Sequence, residues 1–176
     1  NSRLYEELLP CLFYLNENIK QPYMLILKQN IKGKEGLWAY GISGDNPIVL
    51  VKIKSMEGIS TLVQLLDAHE YWSYKGLKVD LVILNEEESM YFQPIFENIQ
   101  EIVNERRGNI LNVSGGIFIR NKSNMPEEDI ALLHHWARIV IKAEEGVKIK
   151  SLKNELPPMR RYDGKLMEFP VKYLDV

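Results

Sequence analysis

The chain has 176 residues, 45% hydrophobic and 26% charged, with 22 Lys and Arg against 24 Asp and Glu for a formal net charge of −2. At ~100–200 residues per domain, that length suits one α/β or α+β core and excludes two complete enzyme domains. The even charge balance leaves no global footprint for nucleic acid or an anionic membrane.

Apolar runs such as Ile48-Val-Leu-Val51 and Leu81-Val-Ile-Leu84 fall far short of the ~20 residues that span a bilayer, so direct membrane insertion by this segment is not expected. The single cysteine, Cys11, excludes an internal disulfide and a multi-cysteine zinc site, and a reducing compartment is the simplest reading. A start at Asn1-Ser-Arg3 rather than at Met reads as a tag scar followed by a piece of something longer.

Apolar residues at 4, 5, 8, 9, 12, 13 and 15 have helical spacing interrupted by Pro10, which predicts a kinked helix or a helix followed by a turn. Pro22 suits the first turn of a second helix over Tyr23 to about Asn30. Together these make an N-terminal helical segment over residues 1–35.

An α/β core domain is expected over 36–145. Residues 47–54 form a β-branched apolar run that fits a strand buried on both faces, and Ser60 is expected to cap a helix ending near Gly76. Residues 78–85 repeat the strand pattern. The acidic Glu86-Glu-Glu88 follows, then a helix of about 90–106 with Ile95, Phe96, Ile99, Ile102 and Val103 on one face. Residues 109–113 and 116–120 supply one or two more strands, and Ser123-Asn-Met-Pro-Glu-Glu-Asp129 starts a helix running to about Lys142. Alternating strands and helices predict a small open, mostly parallel sheet of three or four strands with helices on both faces. From 146 to 176 periodicity is lost around Pro157-Pro158, Arg160-Arg161 and Asp163-Gly164, which predicts an extended connector to a following domain.

The most unusual window is Gly36-Leu-Trp-Ala-Tyr-Gly-Ile-Ser-Gly-Asp-Asn-Pro47. Trp38 and Tyr40 with Ser43 and Asp45 could hold a sugar, its apolar face stacked and its hydroxyls bonded. The competing reading is a structural loop in which Trp38 plugs the core and Asp45 forms an Asx turn. A nucleophile elbow is excluded because Asp45 stands where the pattern needs Gly and the loop precedes a strand. No phosphate-binding Gly-x-Gly-x-x-Gly follows a strand, and no Gly-Lys-Ser/Thr occurs, so no cofactor is expected.

An alternative site is Asn85 with Glu86, at the carboxyl end of a strand, where open α/β sheets bind ligands. The same acids could instead charge the start of the next helix. In a parallel sheet the Trp38–Asp45 loop and Glu86 lie at opposite edges and cannot form one site. His69-Glu70 lacks the second His of a metalloprotease helix, and His134 and His135 diverge by about 100° on a helix, so no metal site is expected.

Residues 36–53 resemble a segment of the very large bacterial cyclic β-1,2-glucan synthases. Further blocks follow in the same order: Leu66-Asp-Ala-His-Glu-Tyr-Trp72 with Lys75-Gly-Leu77, Val79-Asp-Leu-Val-Ile-Leu-Asn-Glu86, and Gly115-Gly-Ile-Phe-Ile-Arg120. The resemblance covers roughly residues 1–155. It implies a membrane-associated, multidomain parent that builds β-1,2-glucan from UDP-glucose, with a part resembling glycoside hydrolase family 94 that phosphorolyses the chain. Asp-x-Asp and Gln-x-x-Arg-Trp are absent, and His135-Trp-Ala-Arg138 is no substitute.

The expectation is therefore a non-catalytic domain on the cytoplasmic side, with neighbouring catalytic domains of the same chain as partners. The alternatives are a β-1,2-glucan-binding module, part of a soluble β-glucoside phosphorylase, or a small enzyme working at Asn85 and Glu86.

Overall fold

Two of the apolar runs become adjacent parallel strands, β1 (Ile48–Ile53) and β2 (Asp80–Asn85), almost entirely withdrawn from solvent. Such runs carry no polar face to offer water, so helices must cover both sides. The computed structural model describes residues 2–13, 33–89 and 91–148. The predicted second helix at Tyr23–Asn30 and the connector beyond residue 148 lie outside the described residues.

Strands β3 (Ile117–Asn121) and β4 (Ala137–Lys142) complete a four-stranded sheet in the order β3-β2-β1-β4, with every pairing parallel. One face carries Val49, Val51, Ile53, Leu81 and Ile83, which are buried in a core with residues of α1 (Ser2–Phe13), α2 (Ile59–Tyr74) and α3 (Pro94–Arg107). The other face buries Ile48, Leu50, Val82, Leu84 and Phe118 with Leu37, Ile42 and residues of α4 (Glu127–Trp136). Each fully buried aliphatic side chain contributes ~1.5–3 kcal/mol, so the two cores stabilise the sheet from both sides. The expected α/β architecture with helices on both faces is the one observed.

Helix α1 joins the first of these cores through Tyr5, Leu8, Cys11 and Leu12, and Pro10 sits inside it. Trp72 of α2 donates its indole N–H to the Tyr5 carbonyl at 3.0 Å, which ties the two helices together.

Several local expectations are corrected. The helix expected to run to Lys142 ends at Trp136, and residues 137–142 are β4, paired to β1. The backbone of Ala137 turns straight into the extended region, so helix passes to strand without a loop. Helix α2 begins at Ile59 behind a 3-10 turn over Met56–Gly58, and Ser60 makes no cap. The helix expected from about residue 90 starts at Pro94, whose missing N–H suits a first turn. Of residues 109–113 only Leu111 forms an isolated bridge, to Ile117. Residues Lys34–Tyr40, which span the end of the expected helical segment and the start of the expected loop, form a 3-10 helix stopped by Gly41 at a φ of 75°, a left-handed conformation that suits glycine.

Candidate functional site

The chain enters β1 and β2 at one edge of the sheet and leaves them at the other, so the two sets of candidate residues separate as expected. At the entering edge Asn46 donates to Asp80 at 3.1 Å and to Ser114 at 2.8 Å, and the Gly115 N–H donates to the same Asp80 oxygen at 2.7 Å. Asp80 is fully buried, and burial pushes its carboxyl above the usual range while the Gly115 and Asn46 donors pull against that. The arrangement pins the loops before β1 and β3 to the carboxylate that opens β2. Asp80→Ala, which strands both donors, is expected to cost about 2–3 kcal/mol in urea unfolding, with Asp80→Asn costing less because an amide oxygen can still accept.

Trp38 does not plug the core; it is 63% exposed, and Leu37 beside it is the buried residue. The Trp38 indole donates to the Ser43 carbonyl at 3.2 Å, and Trp38, Gly41, Ile42, Ser43 and Asp45 line an open hollow of about 330 Å³. Asp45 forms an ion pair with Lys34 at 2.6 Å, and its own N–H donates to the Ser43 hydroxyl at 3.2 Å. Tyr40 is separated from this group: its hydroxyl donates to Asp129 of α4 at 2.6 Å. Burial, followed by that carboxylate, pushes its pKa up to about 12.

At the leaving edge, Asn85 is buried at the end of β2. It donates to the Asn121 side chain at 2.9 Å, and its own oxygen accepts the Glu87 N–H at 3.2 Å. Glu86 accepts ion pairs from Lys52 at 3.3 Å and Lys122 at 3.4 Å, while Glu87 reaches the Phe96 N–H in the first turn of α3 at 3.4 Å. The acids after β2 thus divide: one charges a helix start, as the simpler reading had it, and Glu86 faces lysines.

Sequence reasoning missed the rest of this edge. Lys52, Lys54, Glu86, Lys142, Glu144 and Glu145 line a cleft of about 170 Å³ between the ends of β1 and β4. Lys52 and Lys142 are register partners on these adjacent strands, ~5 Å apart. Glu144 accepts the Lys54 and Ser55 N–H groups at 2.8 and 3.0 Å. Burial alone would raise its carboxyl, but those backbone donors hold it below the usual range. Gly58 makes this closeness possible, since a Cβ there would stand 2.7 Å from that of Ala143. The available signal was a lysine set inside an apolar run just before a strand end, at Val51-Lys52-Ile53 and again at Ile141-Lys142.

His69 and His134 are each buried singly, the first bonded through Nε2 to the Val79 carbonyl at 2.8 Å and the second through Nδ1 to the Ile130 carbonyl at 2.8 Å. Among the described residues, no group of three or more His, Cys, Asp or Glu side chains is placed to hold a metal ion. Nor is any described helix long and apolar enough to cross a membrane.

No protein-family model matches the chain. Among curated proteins, the cyclic beta-(1,2)-glucan synthase NdvB of Rhizobium meliloti (strain 1021) is 28% identical over 124 residues, 68% of this chain. The relationship is distant. The chain spans only 4% of that protein's length, so the match concerns one small part of a very long relative.

Proposed function

We propose that this segment is a non-catalytic α/β domain of a large carbohydrate-active enzyme, on the cytoplasmic side of a membrane-associated parent. That parent transfers glucose from UDP-glucose and carries a family 94-like part that phosphorolyses the product; the domain's partners are the catalytic domains of the same chain. The observation that carries this reading is the 124-residue match to a cyclic glucan synthase. The geometry supports it, because the polar side chains at the strand ends are engaged with one another: Asn85 with Asn121, Glu86 with two lysines, Glu144 with backbone amides. None of these pairs couples a nucleophile to a base.

The test has two arms. The purified chain is expected to show neither glucosyl transfer from UDP-glucose nor phosphorolysis of β-1,2-glucan, and the parent enzyme carrying Glu86→Gln is expected to keep kcat within about twofold of wild type. Turnover by the chain alone that Glu86→Gln abolishes would overturn the reading in favour of a small enzyme.

A second reading, glucan binding, is favoured by the exposed Trp38 indole, held by its bond to the Ser43 carbonyl beside an open hollow. A ring fixed in this way loses little freedom when a sugar stacks on it. Linear β-1,2-glucan would then shift the Trp38 indole N–H resonance, and Trp38→Ala would abolish the response. Silence at millimolar glucan removes this reading and leaves the first standing.

A further inference from the structure

From the cleft between the carboxyl ends of β1 and β4, we infer a binding site for a phosphoryl group, built on Lys52, Lys54 and Lys142. The inference goes beyond the glucan-synthase reading and does not rest on it.

Topology comes first. The strand order β3-β2-β1-β4 grows outward from β1 through β2 to β3 and then returns to β1's other side with β4. In open parallel sheets the crevice outside the carboxyl ends, where the order reverses, is the natural ligand position. The cleft lies at that reversal.

Charge comes second. Three lysines and three glutamates line the cleft, and two further lysines outside its lining, Lys122 and Lys148, pair with Glu86 and Glu145. Counting these partners, five ammonium groups stand at or beside the three carboxylates. One of those carboxylates, Glu144, is taken up by the Lys54 and Ser55 N–H groups. Lys52 and Lys142 are register partners; Lys52 pairs with Glu86 at 3.3 Å and Lys142 with Glu145 at 3.4 Å, so each of these glutamates is shared by two lysines, and the Lys52 side chain is only 14% exposed. A phosphate monoester, with a charge of about −1.5 to −2 at neutral pH, matches the excess.

Size narrows the ligand. At about 170 Å³ the cleft is well below the ~300–1,000 Å³ of sites that engulf a drug-sized molecule. It accepts free phosphate or the terminal phosphoryl of a larger molecule that projects outward. The lysines act here as point charges; there is no forked guanidinium to favour a planar carboxylate.

The experiment follows amide resonances of the 176-residue chain during titration at constant ionic strength, with inorganic phosphate in one arm and glycerol 3-phosphate in the other. Saturable shifts at residues 52–55 and 142–145 are expected, with a Kd on the order of 1 mM for the preferred source. Tighter binding of the ester identifies a phosphorylated metabolite as the source, and tighter binding of the free ion identifies phosphate itself. Lys52→Met is expected to weaken binding about tenfold, whereas Glu86→Gln, which removes a competing anion, is expected to tighten it severalfold. Lys34→Met, at the opposite edge, should change nothing. If neither probe shifts these amides at tens of millimolar, or if Lys52→Met and Lys34→Met weaken binding equally, the site does not exist. Because Glu86→Gln predicts a gain, a misfolded variant cannot imitate the result.

Discussion

Replacing Trp72 by Ala is expected to lower the unfolding free energy by about 3–5 kcal/mol, a large share of the ~5–15 kcal/mol that holds a domain of this size together. The side chain is fully buried in the core beneath α1, α2 and α3, and among the described residues it is the largest in that position. Two losses combine in the variant: the cavity left where an indole was, and the bond from the indole N–H to the Tyr5 carbonyl at 3.0 Å. Trp72→Phe separates them. It keeps most of the volume and loses only the donor, so a cost near 1 kcal/mol is expected from that change. Urea unfolding gives the two free energies, and hydrogen exchange adds a location: amides of α1 should lose protection before those of β1 and β2, because the indole is the buried tie between α1 and α2, with the Tyr71 hydroxyl to Glu6 an exposed second. If Trp72→Ala unfolds at the wild-type urea midpoint, the packing of α1 against α2 described above is wrong.

How far the fold was legible depends on which signal each element carries. β1 and β2 are continuous apolar runs bounded by polar residues, and a central parallel strand can hardly look otherwise. The sequence predicts helix through residues 137–142 because the helical spacing of Ile130, Leu133 and Trp136 continues smoothly into Ala137, Val140 and Ile141, with no Gly, Pro or Asn between them to mark a stop. The β-branched cluster Ile139-Val140-Ile141 was the competing signal, and tertiary pairing with β1 decides in its favour. The same ambiguity hides the cleft. With β4 taken for the end of a helix, Lys142, Glu144 and Glu145 had no reason to stand near Lys52, and the strand-order reversal beside β1 was invisible. Asn85 and Glu86 could be placed at the leaving edge from sequence because one strand sufficed for that. The group around them could not, because it is assembled from residues some 90 positions apart, as when Glu144 meets Lys54.

Charge partnership follows the same division. Local pairs such as Arg3 with Glu7 are readable from i,i+4 spacing on one helix. The engagement of Asp80 by Asn46 and Gly115, with Ser114 accepting from Asn46, is not, since it joins the loops before β1 and β3 to the head of β2, which only the closed sheet brings to one edge. Asp80 opens β2 as a charged residue at the head of an apolar run, and in isolation it reads as the polar boundary of a strand. Its full burial makes it a staple between loops.

The buried imidazole of His134 gives the domain an acid limit. Burial first, and then the positive charges of Lys52 and Lys122, lower its pKa from 6.5 to about 4, while the Ile130 carbonyl and Glu86 oppose the change. A carbonyl can only accept, so the bond at 2.8 Å places a proton on Nδ1 of the neutral ring. The sign of the linkage is fixed by these facts. Above pH 6.5 neither the folded nor the unfolded chain protonates this histidine; between 6.5 and about 4 only the unfolded chain does, so stability falls as the pH falls through that window. The full difference corresponds to ~3 kcal/mol, lost by the time the pH reaches the folded-state value. His69, also fully buried with its pKa lowered chiefly by burial, contributes with the same sign. Urea unfolding measured at intervals from pH 7 to pH 4 should therefore show a decline, and His134→Phe should flatten it, leaving the parts due to His69 and Glu144, which share its sign, and to Asp80, whose raised carboxyl opposes them. A variant with the same slope as wild type would mean that His134 is charged in the folded chain, and the packing of α4 over the sheet would have to admit water to it.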